Sequence, residues 1–189
     1  IAENIEALKK DLGLVGDSAQ LARERNDQYL EMLEKTKIHP LAGVRDLFDF
    51  TEREGLKKAV CSSSEWRQLE IVLPRLLRAL GRKSGPEAFF EAIIYGDGTR
   101  RPKPAPDLYL ACAERLGLTA KECLAFEDSL VGVQAAAAAG MPVIAVPNQY
   151  SKKVTNWPTP YVADSLTDIV GKGVLKASGK GKAVFVWPW

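Results

Sequence analysis

Histidine is nearly missing from this chain. His39 is the only one among 189 residues, it precedes Pro40 in a loop-like stretch, and no cysteine stands at ligand spacing from it. That leaves no basis for a zinc site or a histidine-centred catalyst. Cysteine is scarce as well: Cys61, Cys112 and Cys123 are odd in number and lack framework spacing, so they read as reduced thiols of a cytosol-like compartment. No apolar run approaches the roughly 18 residues of a membrane helix, because "AAAAAGMPVIAVP" is broken by Gly140 and Pro142. A formal charge of +2 is too small to argue for nucleic acid. A P-loop is absent too, since no glycine lies five residues before Gly179 and Gly181 stands where its Ser or Thr would be. There is no internal repeat, and nothing near Ile1 resembles a signal peptide. What remains, 46% hydrophobic and 26% charged, is the composition of an ordinary soluble globular protein of one domain with a small appendage.

Helical and extended patterns alternate along it. "IAENIEALKKDLGL" has Ile1, Ile5, Leu8 and Leu12 at helical spacing, and a second amphipathic helix is predicted from the Asp17-Ser18 cap to about Lys35. Residues 1–39 therefore read as a small helical module. From Pro40 to residue 170 the period switches repeatedly. The predicted strands are "LKKAVCSSS", "FFEAIIYGD", "ECLAFED" and "PVIAV". The predicted helices between them include "EWRQLEIVLPRLLRALG", bent or broken near Pro74, and an alanine-rich helix ended by Gly140. Strands separated by helices of this length predict an α/β fold with a doubly wound parallel sheet, in which ligands lie beyond the carboxyl ends of the strands. Residues 171–189 shift to a Gly/Lys linker and an apolar tail.

Three strand ends carry unlike chemistry. "AVCSSS" delivers Ser62, Ser63 and Ser64 just before a helix start, where hydroxyls and amide N–H groups favour an anion; the plainer alternative is that Ser64 only caps the helix. "RRPKPAPD" delivers Lys103, flanked by prolines that restrict its backbone, which suits a fixed positive charge. "CLAFED" delivers Glu127 and Asp128. Acids are favourable at any helix N-terminus, but two adjacent carboxylates at the end of a buried strand are better explained by a hard cation that a phosphate shares. Together these groups form the electrostatic part of a phosphoryl-transfer centre, with no evident nucleophile among them.

In this order, "AVCSSS", "RRPKPAPD" and "CLAFEDSLVGVQAAAAAG" closely resemble motifs two, three and four of the haloacid dehalogenase-like (HAD) phosphohydrolase superfamily. In wording they are similar to its branch of β-phosphoglucomutases and sugar-phosphate phosphatases. The resemblance spans about residues 18 to 170. It implies a Rossmann-like core, with residues 1–39 as part of a helical cap, and Mg²⁺ as cofactor. The implied roles are Ser62 and Ser63 on the transferring phosphoryl group, Lys103 neutralising it, Asp128 as a direct metal ligand, and Glu127 in the first shell or just outside it. In "RERNDQYLEML", Arg25 and Asn26 stand where the family's cap contacts substrate, and the Pro147–Ser151 turn matches a loop bordering the site. The implied ligand is a small phosphorylated sugar. A cytoplasmic monomer is expected, with no nucleic acid and no membrane partner, an organelle address being left open.

One departure is large. The superfamily opens with an Asp-x-Asp-Gly-Thr motif whose first aspartate attacks phosphorus, and no such string occurs here. "GDGT" at Gly96 to Thr99 lacks the first aspartate and lies in the third-motif loop. The simplest account is an N-terminally incomplete chain that is inactive alone; the alternative is a catalytically inactive domain that binds a phosphorylated ligand or a protein partner. In the family the missing strand lies at the sheet centre, between "KKAVC" and "CLAFE". The tail's "KAVFV" looks like that strand, with Trp187, Pro188 and Trp189 then in the place of the nucleophile motif. The expectation for the tail is nonetheless an unrelated edge strand or a disordered end.

Overall fold

The computed structural model describes residues 2–13, 15–171 and 183–185. Two compact units divide after Lys37. The first is a helical hairpin of α1 (Ala2–Leu12) and α2 (Ser18–Lys35). Asp17 caps α2 by accepting from the Gln20 amide at 2.8 Å, and Lys9 donates to Ser18 Oγ at 2.8 Å, tying the helices together. No residue of α2 is buried.

The second unit runs through α3 (Val44–Arg53), β1 (Lys57–Cys61), α4 (Trp66–Ala79), α5 (Pro86–Phe89), β2 (Ala92–Ile94) and α6 (Asp107–Leu116). It continues through β3 (Cys123–Glu127), α7 (Leu130–Ala138), β4 (Val143–Ala145), α8 (Leu166–Gly171) and β5 (Ala183–Phe185). The five strands form one parallel sheet in the order β2-β1-β5-β3-β4. Among the described residues no helix is long and apolar enough to cross a membrane.

Alternation along the strands builds two cores. Val60 of β1 and Phe126 of β3 join Leu47, Phe48, Leu69, Leu73, Leu76 and Phe89 on the face covered by α3, α4, α5 and α8. Their sequence neighbours Ala59, Cys61 and Ala125 face the other side, where Ala135 and Ala136 of α7 and Cys112 and Ala113 of α6 pack. Small side chains on both partners let those helices lie close to the sheet, which explains why α7 is alanine-rich. Pro74 does not break α4, which is continuous from Trp66 to Ala79. Burial of Leu69, Leu73, Leu76 and Leu77 along one stripe outweighs the hydrogen bond that proline forfeits.

The tail overturns the expectation of an edge strand or a disordered end. β5 occupies the sheet centre, with Ala183, Val184 and Phe185 in parallel register with Lys57, Lys58 and Ala59 on one side. On the other side they meet Cys123, Leu124 and Ala125. The cause is pairing: β1 and β3 are buried strands, and a strand between them satisfies backbone groups that would otherwise face an apolar gap. The segment that follows, including Trp187, Pro188 and Trp189, lies outside the described residues.

Candidate active site

The last residues of β1, β2 and β3 and the turns that follow them share one end of the sheet. Ser62 continues β1, is fully buried, and donates its amide to Ile94 O at 2.9 Å. Its Oγ accepts from the Ser64 amide at 2.9 Å, folding the three serines into a tight turn with Ser63 exposed. The residue that caps α4 is Glu65, so Ser64 lies one position before the cap. The loop after β2 packs against this turn. Gly96 donates to Ser64 O at 3.0 Å, and a Cβ on Gly96 would stand 2.5 Å from Ser63 O, so only glycine fits there. In the same loop Asp97 is engaged by Thr99, through its amide at 2.9 Å and its hydroxyl at 2.6 Å, and by Arg100 at 2.7 Å.

Lys103 leaves that loop on a stretch closed by a two-pronged Arg101–Asp107 contact, at 3.0 and 2.9 Å. Its ammonium donates to Cys61 O at 3.0 Å, to Glu127 Oε1, and to the Tyr109 hydroxyl at 3.4 Å. Cys61 ends β1 and Glu127 ends β3, the two strands flanking β5, so the ammonium spans the central position of the sheet. The Lys103 side chain is 6% exposed and that of Glu127 2%. Burial disfavours the charge on Lys103, but the Glu127 carboxylate, together with Cys61 and Cys112, leaves the lysine above its ordinary pKa. Tyr109, pushed well above the usual tyrosine value first by burial and then by Glu127, stays protonated and donates to Glu127 Oε1. The other carboxylate oxygen accepts from Ser129 Oγ at 3.2 Å. Glu127 is thus enclosed by three donors.

Asp128 is different. It is half-buried, and its carboxylate accepts from Asn148 Nδ2 at 2.6 Å. Burial first, and the neighbouring Glu127 charge second, push it up to about 6. A half-buried carboxylate so disfavoured as an anion fits a hard divalent cation, which would restore the ionised form. Among the described residues there is no group of three or more His, Cys, Asp or Glu that could hold a metal.

The structure brings Lys103, Glu127 and Asp128 together, with Ser62 directly after the carbonyl that Lys103 holds. Arg25 and Asn26 lie on α2 in the first unit, where Arg25 stacks over Tyr29 at 5.7 Å. Sequence reasoning missed Tyr109, Ser129 and Gly132, and it marked the Pro147–Ser151 turn without singling out Asn148. Gly132 carries a readable signal once the fold is known. A Cβ there would stand 1.9 Å from Glu127 Oε2 and 2.2 Å from its Cδ, so the first turn of α7 must be bare where the carboxylate passes. Gly132→Ala is therefore expected to lose about 1–3 kcal/mol by overpacking, although alanine is intrinsically the better helix former. Urea denaturation checks this, and an unchanged or raised midpoint contradicts it.

Residues 2–140 match the haloacid dehalogenase-like hydrolase family. The chain is 31% identical over 156 residues to protein CbbY of Rhodobacter capsulatus, an alignment covering 80% of this chain and 66% of that protein. It is 35% identical over 130 residues to fructose-1-phosphate phosphatase YqaB of Escherichia coli, covering 69% and 63%. The chain thus spans less than two thirds of the length of these curated relatives. Among solved structures, CbbY from Rhodobacter sphaeroides in complex with xylulose-1,5-bisphosphate superposes with a TM-score of 0.73 at 25% identity, over 89% of this chain and 74% of that one. β-Phosphoglucomutase from Clostridium difficile gives 0.65 at 21% identity, over 90% and 74%, a likeness of fold alone. With most of its residues inside the family match, the chain is a member of the haloacid dehalogenase-like hydrolases.

Proposed function

We propose that this chain is the phosphate-binding core of an Mg²⁺-dependent phosphoryl-transfer domain, a phosphatase or phosphomutase, that takes a small sugar phosphate. The observation that carries the reading is the Lys103 ammonium, held between Cys61 O and Glu127 and set beside Asp128. A preorganised buried cation next to a carboxylate suited to a divalent ion is what a phosphoryl group with dispersed negative charge requires. In this reading the Ser62–Ser64 turn offers hydroxyls and amides to phosphoryl oxygens, and Lys103 neutralises them. Asp128 holds Mg²⁺, while Glu127 stands just outside as the counter-ion that fixes Lys103. The cation would supply charge neutralisation on the phosphate. The substrate class rests on the relatives, one a fructose-1-phosphate phosphatase and one solved with a sugar bisphosphate.

A second reading is favoured by one specific observation: no Asp-x-Asp-Gly-Thr string occurs among these 189 residues, and Asp97 of "GDGT" is taken up by Thr99 and Arg100. The chain on its own would then bind a phosphorylated ligand without turning it over. Both readings are tested by one pair of measurements, phosphate binding followed by ³¹P line broadening and phosphate release from a panel of sugar phosphates, each with and without Mg²⁺. Binding that needs Mg²⁺ and is lost in Asp128→Asn is expected, with no release above background. Turnover that survives purification and disappears in Asp128→Ala would show a nucleophile that has been missed. Phosphate binding indifferent to both Mg²⁺ and Asp128 would remove the site.

A further inference from the structure

We infer that Asn148 is a positioning residue for Asp128: its side-chain amide fixes the direction in which that carboxylate is presented to a divalent cation. The inference rests on the reading of Asp128 as cation ligand given above. Asn148 follows β4, on the turn that passes the end of β3, and Val146 donates to Glu127 O at 2.7 Å to seat the turn there. The asparagine is engaged at every polar group. Its amide N–H donates to Ser151 Oγ at 2.9 Å, and its carbonyl accepts from the Lys152 amide at 2.9 Å. Its Oδ1 accepts from the Tyr150 and Ser151 amides at 2.8 and 3.1 Å. Backbone N–H groups can only donate, so the oxygen of the side chain must face the turn. The NH₂ group is left with one direction, toward Asp128 Oδ2 at 2.6 Å.

That contact is the only side-chain hydrogen bond to the Asp128 carboxylate among the described residues. Glu127, by contrast, is held by Lys103, Tyr109 and Ser129. The two adjacent acids are therefore fixed by separate devices: one by a buried cation and two hydroxyls, the other by a single amide on a turn from a different strand. Asn148 also suits the task electrically. A neutral donor orients a carboxylate without competing for its charge, whereas a lysine or arginine at the same place would take the position of the cation. Removing an outer partner of a metal-binding carboxylate weakens metal affinity by about tenfold or more.

The test uses Mn²⁺ alone as probe, titrated into the whole chain and followed by electron paramagnetic resonance, with circular dichroism to confirm folding. Asn148→Ser keeps a short oxygen that can cap the turn but cannot reach Asp128; Asn148→Ala removes both functions. Each is expected to weaken Mn²⁺ binding by about tenfold. Ser151→Ala loosens the same turn without touching Asp128 and is expected to change affinity by less than about twofold. Asp128→Asn is expected to abolish binding. If Asn148→Ser binds Mn²⁺ as the parent does while Asp128→Asn does not, the positioning role is wrong and the cation site stands. If Ser151→Ala weakens binding as much as Asn148→Ser, order in the turn is responsible and the role is again wrong. If Asp128→Asn leaves binding intact, the reading of Asp128 itself falls.

Discussion

Cutting the chain after Gly171, and with it β5, is expected to abolish cooperative unfolding rather than merely lower the midpoint. β5 pairs on both sides, with Lys57–Ala59 of β1 and with Cys123–Ala125 of β3. Both neighbours are core strands: Ala59 and Ala125 are fully buried, and Cys123 nearly so. Without β5 the facing N–H and C=O groups of two buried strands lose their partners, at about 1–3 kcal/mol for each group left unpaired. A handful of such losses matches the whole stability of a domain this size, about 5–15 kcal/mol. The intact chain should give a sigmoidal urea transition by near-ultraviolet circular dichroism, and the shortened one a shallow drift. Val184→Pro probes the same point with one residue. It removes a backbone donor at the position registered with Lys58 and Leu124, where proline in a central strand is not tolerated. A shortened chain or a Val184→Pro variant that unfolds with the parent's midpoint and steepness would remove β5 from the sheet centre.

That strand is also where the sequence was hardest to read. β1, β2, β3 and β4 are each delimited by helices of βα length, so their place in a parallel sheet follows from periodicity and connection rules. β5 arrives after a Gly/Lys stretch at the far end of the chain, and although "KAVFV" looks like the family's central strand, its few apolar residues do not by themselves weigh the centre against an edge. Only the vacancy between β1 and β3 decides it, and a vacancy is a property of the assembled sheet. The site shows the same division. Ser62, Lys103, Glu127 and Asp128 could be found because strand ends collect ligand-binding groups. Tyr109 could not: it reads as one more apolar position on α6, and its hydroxyl matters only because Glu127 passes beside it. The adjacency of Glu127 and Asp128 suggested a shared cation, yet among the described residues Glu127 has three side-chain donors and Asp128 one. Which partners two adjacent acids meet is decided by α6 and by the turn after β4, and adjacency in sequence carries neither.

Lys103→Met is expected to cost about 3 kcal/mol in stability, far more than loss of a surface lysine. The ammonium and the Glu127 carboxylate are both almost wholly removed from water. Breaking such a pair by deleting one member leaves an uncompensated buried charge, typically about 3–5 kcal/mol. The lower end applies because Tyr109 and Ser129 still donate to Glu127. Glu127→Gln should cost a similar amount, since the buried Lys103 ammonium would lose the carboxylate that balances it. The double variant removes both charges at once, so its loss should fall about 2–3 kcal/mol short of the sum of the singles. The pH dependence has a definite sign. Burial works against the charged lysine, but Glu127, together with Cys61 and Cys112, leaves its pKa above the usual value. The contribution is therefore fully present below the unfolded-state pKa of about 10.4 and lost only as pH rises through the still higher folded value. The gap between parent and Lys103→Met should accordingly not close as pH rises from about pH 6 to about pH 9. Urea midpoints for the four chains of the cycle, taken at both ends of that range, decide the matter. Additive losses, or a gap that closes toward pH 9, would mean that Lys103 and Glu127 do not act as a buried ion pair.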